Sequence, residues 1–392
     1  MSRILIVIVA LAVVIFGAYQ LLPERYAVNA PFRQLIAGVD NSPGRSVVQR
    51  MRVPPGFHVS VWARNLPGAR MLALTPAGNI LVSQPHRGKV VEVGVGESGE
   101  SLPPRDLLTG LDRPHGLAVT DKWLYIAEAS DIARVAVKSG ADGALELSGP
   151  VQRIVTGLPE GGNHWSRSVK PGPDGRLYIT VGSSCNVCKE EDARRATMLV
   201  ANADGSDLKI YATGLRNAVG FDWRPGTQEL YATDNGRDLL GDNFPPCELN
   251  RIVEGGFYGW PYANGDNVPD PDFGAGHEKE IANAIAPAFS FRAHNAPLGI
   301  TFIKGKYAPE GYRGTALVAL HGSWNRSEKD GYKVVSLHWK ADGGIESRDF
   351  LTGFEVDGDV IGRPVDVVEG RRGEIYISDD YGGVIWRVTF SR

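Results

Sequence analysis

A unit that recurs six times limits the folds open to this chain. Each copy has a short apolar run, a turn built on glycine and an alternating strand of Ile, Leu, Tyr and Val, often followed by a second such strand. The copies fall at 72–74, 80–83 and 89–93; at 116–119, 123–127 and 133–137; at 168–170 and 177–181; at 219–223, 229–233 and 248–253; at 298–302, 316–320 and 332–337; and at 365–368, 374–378 and 384–388. Alternation buries one face of a strand, and a unit too small to close its own core must stack on its neighbours. Glycine and proline, at 48 and 25 of 392 residues and without a G-X-Y period, supply turns between many short strands. The predicted fold is all-β: a six-bladed β-propeller over residues 51–392, its blades set around a central channel. A pair of β-sandwiches also alternates strands and turns, but nothing after residue 50 reads as a linker between two halves.

Ahead of the repeats lies a different kind of sequence. Residues 4–19 form a run of sixteen positions without a charge or an amide, with Arg3 before it and Glu24 and Arg25 after it. A basic start, an apolar stretch and a polar boundary are the parts of an export signal. Counted through Leu22 the run reaches nineteen, close to the roughly 20 residues that span a bilayer, so an uncleaved anchor through residues 4–22 is the other reading. Both place the propeller outside the cytoplasm, in the periplasm or on the outer face of the membrane. The expected organisation is therefore signal or anchor at 1–30, polar linker at 31–50 and propeller at 51–392.

Charge narrows the partners. With 42 basic and 45 acidic residues the formal net charge is −3, which lacks the basic excess of a nucleic-acid binder. Three cysteines are too few for a disulfide scaffold. Cys185 and Cys188 form C-N-V-C with no second pair to complete a zinc site, so after export a local disulfide on a loop is expected, with Cys247 left as a free thiol. The residue after Cys188 is Lys189, so the pair is not a c-type haem attachment. The chain has no G-x-S-x-G, P-loop or H-E-x-x-H.

Polar residues gather where the inner strands begin. His115 precedes the apolar run of the second unit, His164 and Arg167 that of the third, Arg216 and Asn217 that of the fourth, His294 and Asn295 that of the fifth and Arg363 that of the sixth. If every inner strand starts at one mouth of the channel, these side chains converge on a pocket that can bind anions and move protons. The densest stretch, residues 233–260, offers Asp234, Asp238, Asp242 and Glu248 among loop carbonyls, the mixed oxygen set that a hard cation such as calcium takes.

The segments NHWSRSVKPGPDGRLYITVG (163–182), GLRNAVGFDW (214–223), ELNRIVEGGFYGWPY (248–262), HGSWNR (321–326) and GRPVDV (362–367) carry a resemblance. In this order the chain resembles the pyrroloquinoline-quinone (PQQ)-dependent sugar dehydrogenases, the soluble glucose and aldose enzymes and above all the sorbosone-dehydrogenase-like branch. The resemblance covers residues from about 50 onward, and that family's six-bladed fold agrees with the repeat count. It implies a PQQ- and calcium-dependent oxidoreductase that takes hydride from a sugar or a related polyol or aldehyde. Electrons would pass to a cytochrome or quinone acceptor. It also implies roles: His164 as base, Arg216 beside the quinone carbonyl, and Asn217, His115, His321 and Arg363 as cofactor contacts. Gly236, Arg237, Glu248 and Tyr258, with Asp266 or Asp270, would hold calcium. Three positions depart from the family: Val365 where a second arginine is expected, His321 where a lysine is expected, and Cys247 in place of an aspartate. Arg326, Lys333 or His115 would have to make up the missing positive charge. Two readings from other classes stay open: an exported propeller that binds a ligand or protein without catalysis, and a lactonase-type propeller hydrolase that activates water with a channel metal.

Overall fold

The computed structural model describes residues 24–30, 45–141 and 143–391. The apolar run at 4–22, and with it the signal-or-anchor question, lies outside the described residues. Six antiparallel sheets form the six expected blades. Blade one is Leu72–Leu74, Ile80–Gln84, Lys89–Val93 and Arg105–Leu108. Blade two is Leu117–Val119, Trp123–Ala127, Ile132–Ser139 and Gln152–Val155, and blade three is Arg167–Pro171, Leu177–Val181, Thr197–Ala201 and Lys209–Thr213. Blade four is Ala218–Trp223, Leu230–Asp234, Pro246–Ile252 and Phe289–Ala293, and blade five is Pro297–Phe302, Ala316–Leu320, Lys333–Trp339 and Ile345–Leu351. Blade six takes Pro364–Glu369, Ile375–Asp379 and Val384–Phe390 from the end of the chain and its outermost strand, Phe57–Ala63, from the beginning.

That exchange closes the ring. Phe57 pairs with Phe390 and Val61 with Trp386, so first and last strands share one ladder. The sequence pattern assigned no strand to 57–63, because its partner lies more than 300 residues away. The first strands of the six blades touch one another in a closed circle around the channel. Neighbouring backbones come close there: a Cβ on Gly220 would sit 2.2 Å from the Leu298 carbonyl oxygen, so only glycine lets blades four and five meet at this point.

Burial explains why some strands were readable. Second strands such as Leu177–Val181 and Ala316–Leu320 are buried along their whole length, since both faces pack on adjacent blades. Fourth strands such as Arg105–Leu108 and Lys209–Thr213 are half exposed and carry charges. The core is six apolar clusters, each at the seam between two consecutive blades, such as Tyr125, Leu177 and Ile179 between two and three. A seventh cluster, Met71, Val219, Leu298 and Val365, crosses the channel itself.

Several segments are added to the blades. A hairpin, Ala263–Asn264 with Val268–Pro269, and a helical turn, Glu278–Asn283, interrupt blade four before its last strand. In the stretch expected to be a linker, Val47 and Val48 pack on the seam of blades five and six, and Arg50 pairs with Asp359 at 2.7 Å. Residues 24–30 lie on the 321–330 loop, where Asn325 donates to the carbonyls of Arg25 and Ala27. Among the described residues no helix is long and apolar enough to cross a membrane.

Candidate active site

In every blade the inner strand leads directly into the second, which reverses direction. The loops that enter inner strands and those that follow second strands therefore share one face of the ring. Arg70, His115, His164, Arg216, Asn217, His294 and Arg363 arrive there on the first set of loops, and Ser183, Asn186, Asp238, His321 and Asp380 on the second. Arg70 occupies in blade one the position that His115 and Arg216 hold in blades two and four, and the sequence reading missed it. The recurrence read in units two to six would have found it if extended to the first unit. The apolar cluster of Met71, Val219, Leu298 and Val365 begins directly beneath these residues and floors the site.

His164 is held in a single tautomer. Its Nδ1 lies 3.0 Å from the Ser183 carbonyl oxygen and 2.8 Å from Ser183 Oγ. A carbonyl only accepts, so Nδ1 carries the proton, and the Ser183 hydroxyl turns its own toward the Cys185 carbonyl. Nε2 is left with its lone pair and no partner among the described residues. Burial, and then the Arg216 charge, lower the His164 pKa to about 3, so the ring is neutral at ordinary pH. A Cβ on Gly182 would lie 2.6 Å from His164 Cβ and 2.9 Å from Asn217 Oδ1, so glycine lets base and amide sit side by side.

Arg216 is held on every side. Nε donates to the Asn186 carbonyl; one terminal nitrogen donates to the carbonyls of Asn235 and Gly236, the other to Asn186 Oδ1 and Asp238 Oδ2. All five N–H groups are thus engaged, the Asp238 contact being the longest at 3.2 Å. The guanidinium acts here as a fixed buried charge; a ligand oxygen would compete first with Asp238. Asn217 adds a buried Oδ1 without a partner among the described residues.

A second group faces it from blades five, six and one. His321 accepts from Arg363 at Nδ1 (2.8 Å) and donates from Nε2 to Asp380 (3.0 Å), while Arg70 pairs with Asp380 at 2.7 Å. Both ring nitrogens of His321 are used within the protein, so this residue positions Arg363 and leaves no atom for a ligand. Burial and then Arg363 lower the His321 pKa to about 4. Arg363 and Arg70 are the cations with donors to spare: each uses only part of its guanidinium on acceptors among the described residues. Lys333 is paired with Asp349 at 2.6 Å, and Arg326 is spent on the carbonyls of Asp242, Ala293 and Glu328. Arg70, itself paired with Asp380, is thus a further cation at this mouth beside the Arg326, Lys333 and His115 that the sequence offered. Val365 is fully buried in the floor. His115 is also fully buried; its Nδ1–H donates to the Arg167 carbonyl, and Nε2 has no partner among the described residues.

The candidate cation residues gather lower in blade four. Gly236, Arg237, Glu248 and Tyr258 line one cavity of about 10 Å³ together with Asp234 and Arg216. That is room for a single ion or water. Asp234 stands directly opposite Glu248 in adjacent strands. Burial raises both carboxyls, and the Asp234 charge raises Glu248 further; the Glu248 oxygens otherwise accept from Gly265 N and Asn250 Nδ2. Two carboxylates with so little solvent call for a shared proton or a cation. The Arg237 side chain turns away, into a buried pair with Asp270 (2.7 Å) and a contact to Asp272, so Asp270 is committed there. Asp266 is exposed on the hairpin, close enough to raise Glu248. Cys247 points to the opposite side of its strand, buried in the seam of blades four and five.

Cys185 and Cys188 are bonded to each other. Among the described residues they and Glu190 are the one triplet of His, Cys, Asp or Glu with ligand atoms within 4.8 Å, and the sulfurs are already spent. A cavity of about 520 Å³ opens at the other mouth of the channel. Of the charged residues lining it, Lys304 pairs with Asp222 at 2.8 Å and Asp366 accepts from Leu72 N.

Comparisons with known proteins bear on the family and the fold. Residues 120–386 match the family model described as glucose/sorbosone dehydrogenase. An uncharacterised protein of Borreliella burgdorferi is 32% identical over 365 residues, which cover 88% of this chain and 92% of that one. The PQQ-dependent pyranose dehydrogenase of Coprinopsis cinerea is 27% identical over 347 residues, covering 73% of this chain but only 44% of the relative. The holo structure of that enzyme's PQQ domain superposes with a TM-score of 0.72 at 22% identity, covering 86% of this chain and 97% of the domain. A calcium structure of a carbohydrate-active enzyme of family AA12 from Trichoderma reesei superposes with a TM-score of 0.75 at 19% identity, covering 87% and 97%.

Proposed function

The chain belongs to the glucose/sorbosone dehydrogenase family, and on that premise we propose that it is a PQQ-dependent dehydrogenase oxidising a CH–OH group of a sugar or of a related polyol or aldehyde. The observation that carries this reading is His164: a neutral imidazole whose proton is fixed on Nδ1 by Ser183, with Nε2 free beside a buried arginine. A base in that state takes the proton of a substrate hydroxyl at Nε2 without a prior change of tautomer. Arg216, immobilised by five donor contacts, places positive charge where the oxidation develops negative charge, at no cost in reorganisation. Asn217 contributes an amide at the same point.

The residues present suit an anionic, carboxylate-bearing cofactor. Arg70 and Arg363 offer uncommitted N–H groups, and the orphaned Asn217 Oδ1 and Arg70 Nε are polar atoms that a ligand can bring into hydrogen bonding. PQQ, when bound there, supplies the two-electron acceptor. Asp234 and Glu248, with the carbonyls of Gly236, Arg237 and Tyr258, suit calcium by donor type. Asp266 is the flanking carboxylate closest to completing that set. Reoxidation then falls to an external acceptor, a cytochrome or a quinone. We place the enzyme outside the cytoplasm, supported by the apolar run at 4–19 and by a closed disulfide on a half-buried loop.

The test is calorimetric titration of PQQ into the protein, with calcium and with chelator, followed by a panel of aldoses and polyols assayed with an artificial acceptor. Saturable, calcium-dependent binding and turnover of at least one of these compounds are expected. Absence of PQQ binding in both conditions would overturn the reading.

A further inference from the structure

The loop between the second and third strands of blade three contains a small covalent ring beside the site. Residues Cys185, Asn186, Val187 and Cys188 form a four-residue ring closed by the disulfide. Asn186, inside that ring, spends its whole amide on the site. Its carbonyl oxygen and Oδ1 each accept from Arg216 at 2.9 Å, Oδ1 also accepts from the Asp238 N–H at 2.8 Å, and Nδ2 donates to the Asp238 carbonyl at 3.1 Å. Just before the ring, Ser183 holds His164 Nδ1, and its hydroxyl donates to the Cys185 carbonyl at 2.7 Å. Ser183 N also donates to the Arg216 carbonyl. After the ring, Glu190 accepts from the N–H and hydroxyl of Ser184. One short segment therefore fixes the tautomer of the base and two of the five donors of the arginine. Both halves meet at Cys185.

We propose that the Cys185–Cys188 disulfide locks this segment, with Asn186 as the positioning residue for Arg216 and Ser183 for His164, so that the site is fully assembled only in the oxidised chain. This rests on His164 being the base and Arg216 the stabilising charge of the dehydrogenase. The physical reason is conformational. With the bond closed, Asn186 and Val187 are confined to the few backbone conformations that bridge the two sulfurs. With it open, their φ and ψ are restrained only by the hydrogen bonds they are meant to supply. The cysteines are half-buried and within reach of small thiols. In exchange with a dithiol, Cys185 and Cys188 each gain one hydrogen and the reagent closes to its own disulfide, so electrons and protons balance. The loop would then be a dithiol segment able to leave Arg216 and Asp238.

The experiment uses the folded full chain, oxidised and after dithiothreitol, alongside Asn186→Ala, Asn186→Asp and the double variant Cys185→Ser/Cys188→Ser. Two readouts are taken: kcat and KM for whichever sugar the oxidised protein turns over, and the ¹⁵N signals of the His164 imidazole without cofactor. Reduction and Asn186→Ala are each expected to lower kcat about ten- to a hundredfold with KM changed less than about threefold, as for a misplaced catalytic group. Asn186→Asp, which keeps the acceptor for Arg216, should recover part of the loss. Opening the bond should also turn the single Nδ1–H pattern of His164 into a mixture of tautomers. Unchanged kcat in the reduced chain, or unchanged kcat in Asn186→Ala, overturns the proposal. If the double variant fails to fold, reduction of the already folded chain still decides. If the oxidised protein turns over no sugar, the dehydrogenase reading fails by itself, and an unaltered His164 spectrum on reduction would separately sink the lock.

Discussion

His164 and His115 are alike at one nitrogen and different at the other. Each donates from Nδ1 to a backbone carbonyl, but Nε2 of His164 is free at the site while that of His115 is sealed inside the protein. His164→Ala should therefore lower turnover about 10²–10⁴-fold, the usual span for losing a general base, with PQQ affinity little changed; steady-state rates and calorimetry check both halves. His115 has a different signature. Burial, and then the charge of Arg70, lower its pKa from 6.5 to about 3. Its stabilising contribution is complete above pH 6.5 and is lost as pH falls toward 3, because only the unfolded chain takes up the proton in that window. At pH 5 the loss comes to about 2 kcal/mol. His115→Gln should flatten the dependence of stability on pH between about 7.5 and 5 by that amount, whatever it does to stability itself; urea titrations at the two pH values measure it. Both histidines were legible in the sequence from their recurring place ahead of an inner strand. Their tautomers were not, since those depend on which carbonyl a folded loop turns toward the ring.

Among the elements, two neighbouring strands of blade four put Asp234 face to face with Glu248. Registry between antiparallel strands allows no escape for such a pair: both side chains leave the same side of the sheet. Without a cation, burial and mutual repulsion disfavour ionising the pair, and Glu248→Gln should be at least as stable as the wild type, because it removes a carboxyl whose charged form the site opposes. With calcium the order should reverse. The wild type should gain about 2.7 kcal/mol at a calcium concentration roughly a hundredfold above its dissociation constant, and the variant nothing; melting curves with calcium and with chelator decide it. The sequence showed Asp234 and Glu248 as members of an acidic stretch, but their opposition needs the strand register. The same distinction separates the strands themselves. Second strands such as Leu177–Val181 announced themselves as continuous apolar runs because both faces are covered. Fourth strands such as Lys209–Thr213 did not, because solvent takes one face and the pattern dissolves into charge.

The whole molecule is a ring, and a ring has one seam where the chain must meet its own beginning. Phe57–Ala63 makes that seam against Val384–Phe390 and buries Trp62 and Ala63 against blades six and one. Deleting residues 1–64 should leave blade six with an unpaired edge and lower Tm by many degrees with loss of a single cooperative transition, whereas deleting residues 1–44 should leave the propeller folded; calorimetry of the two truncations tests this. Six β units around a channel, histidines and arginines crowding one mouth, and the pairing of Cys185 with Cys188 could all be read before folding. Each is written in local periodicity or short spacing, which burial and chain geometry impose on neighbouring residues. The folded chain was needed to show that residues 57–63 close the ring, that Arg70 pairs with Asp380, that His321 serves Arg363 and that Asn186 holds Arg216. Those contacts join residues from about 30 to more than 300 positions apart, and no local pattern encodes a partner that only the closed ring brings within reach.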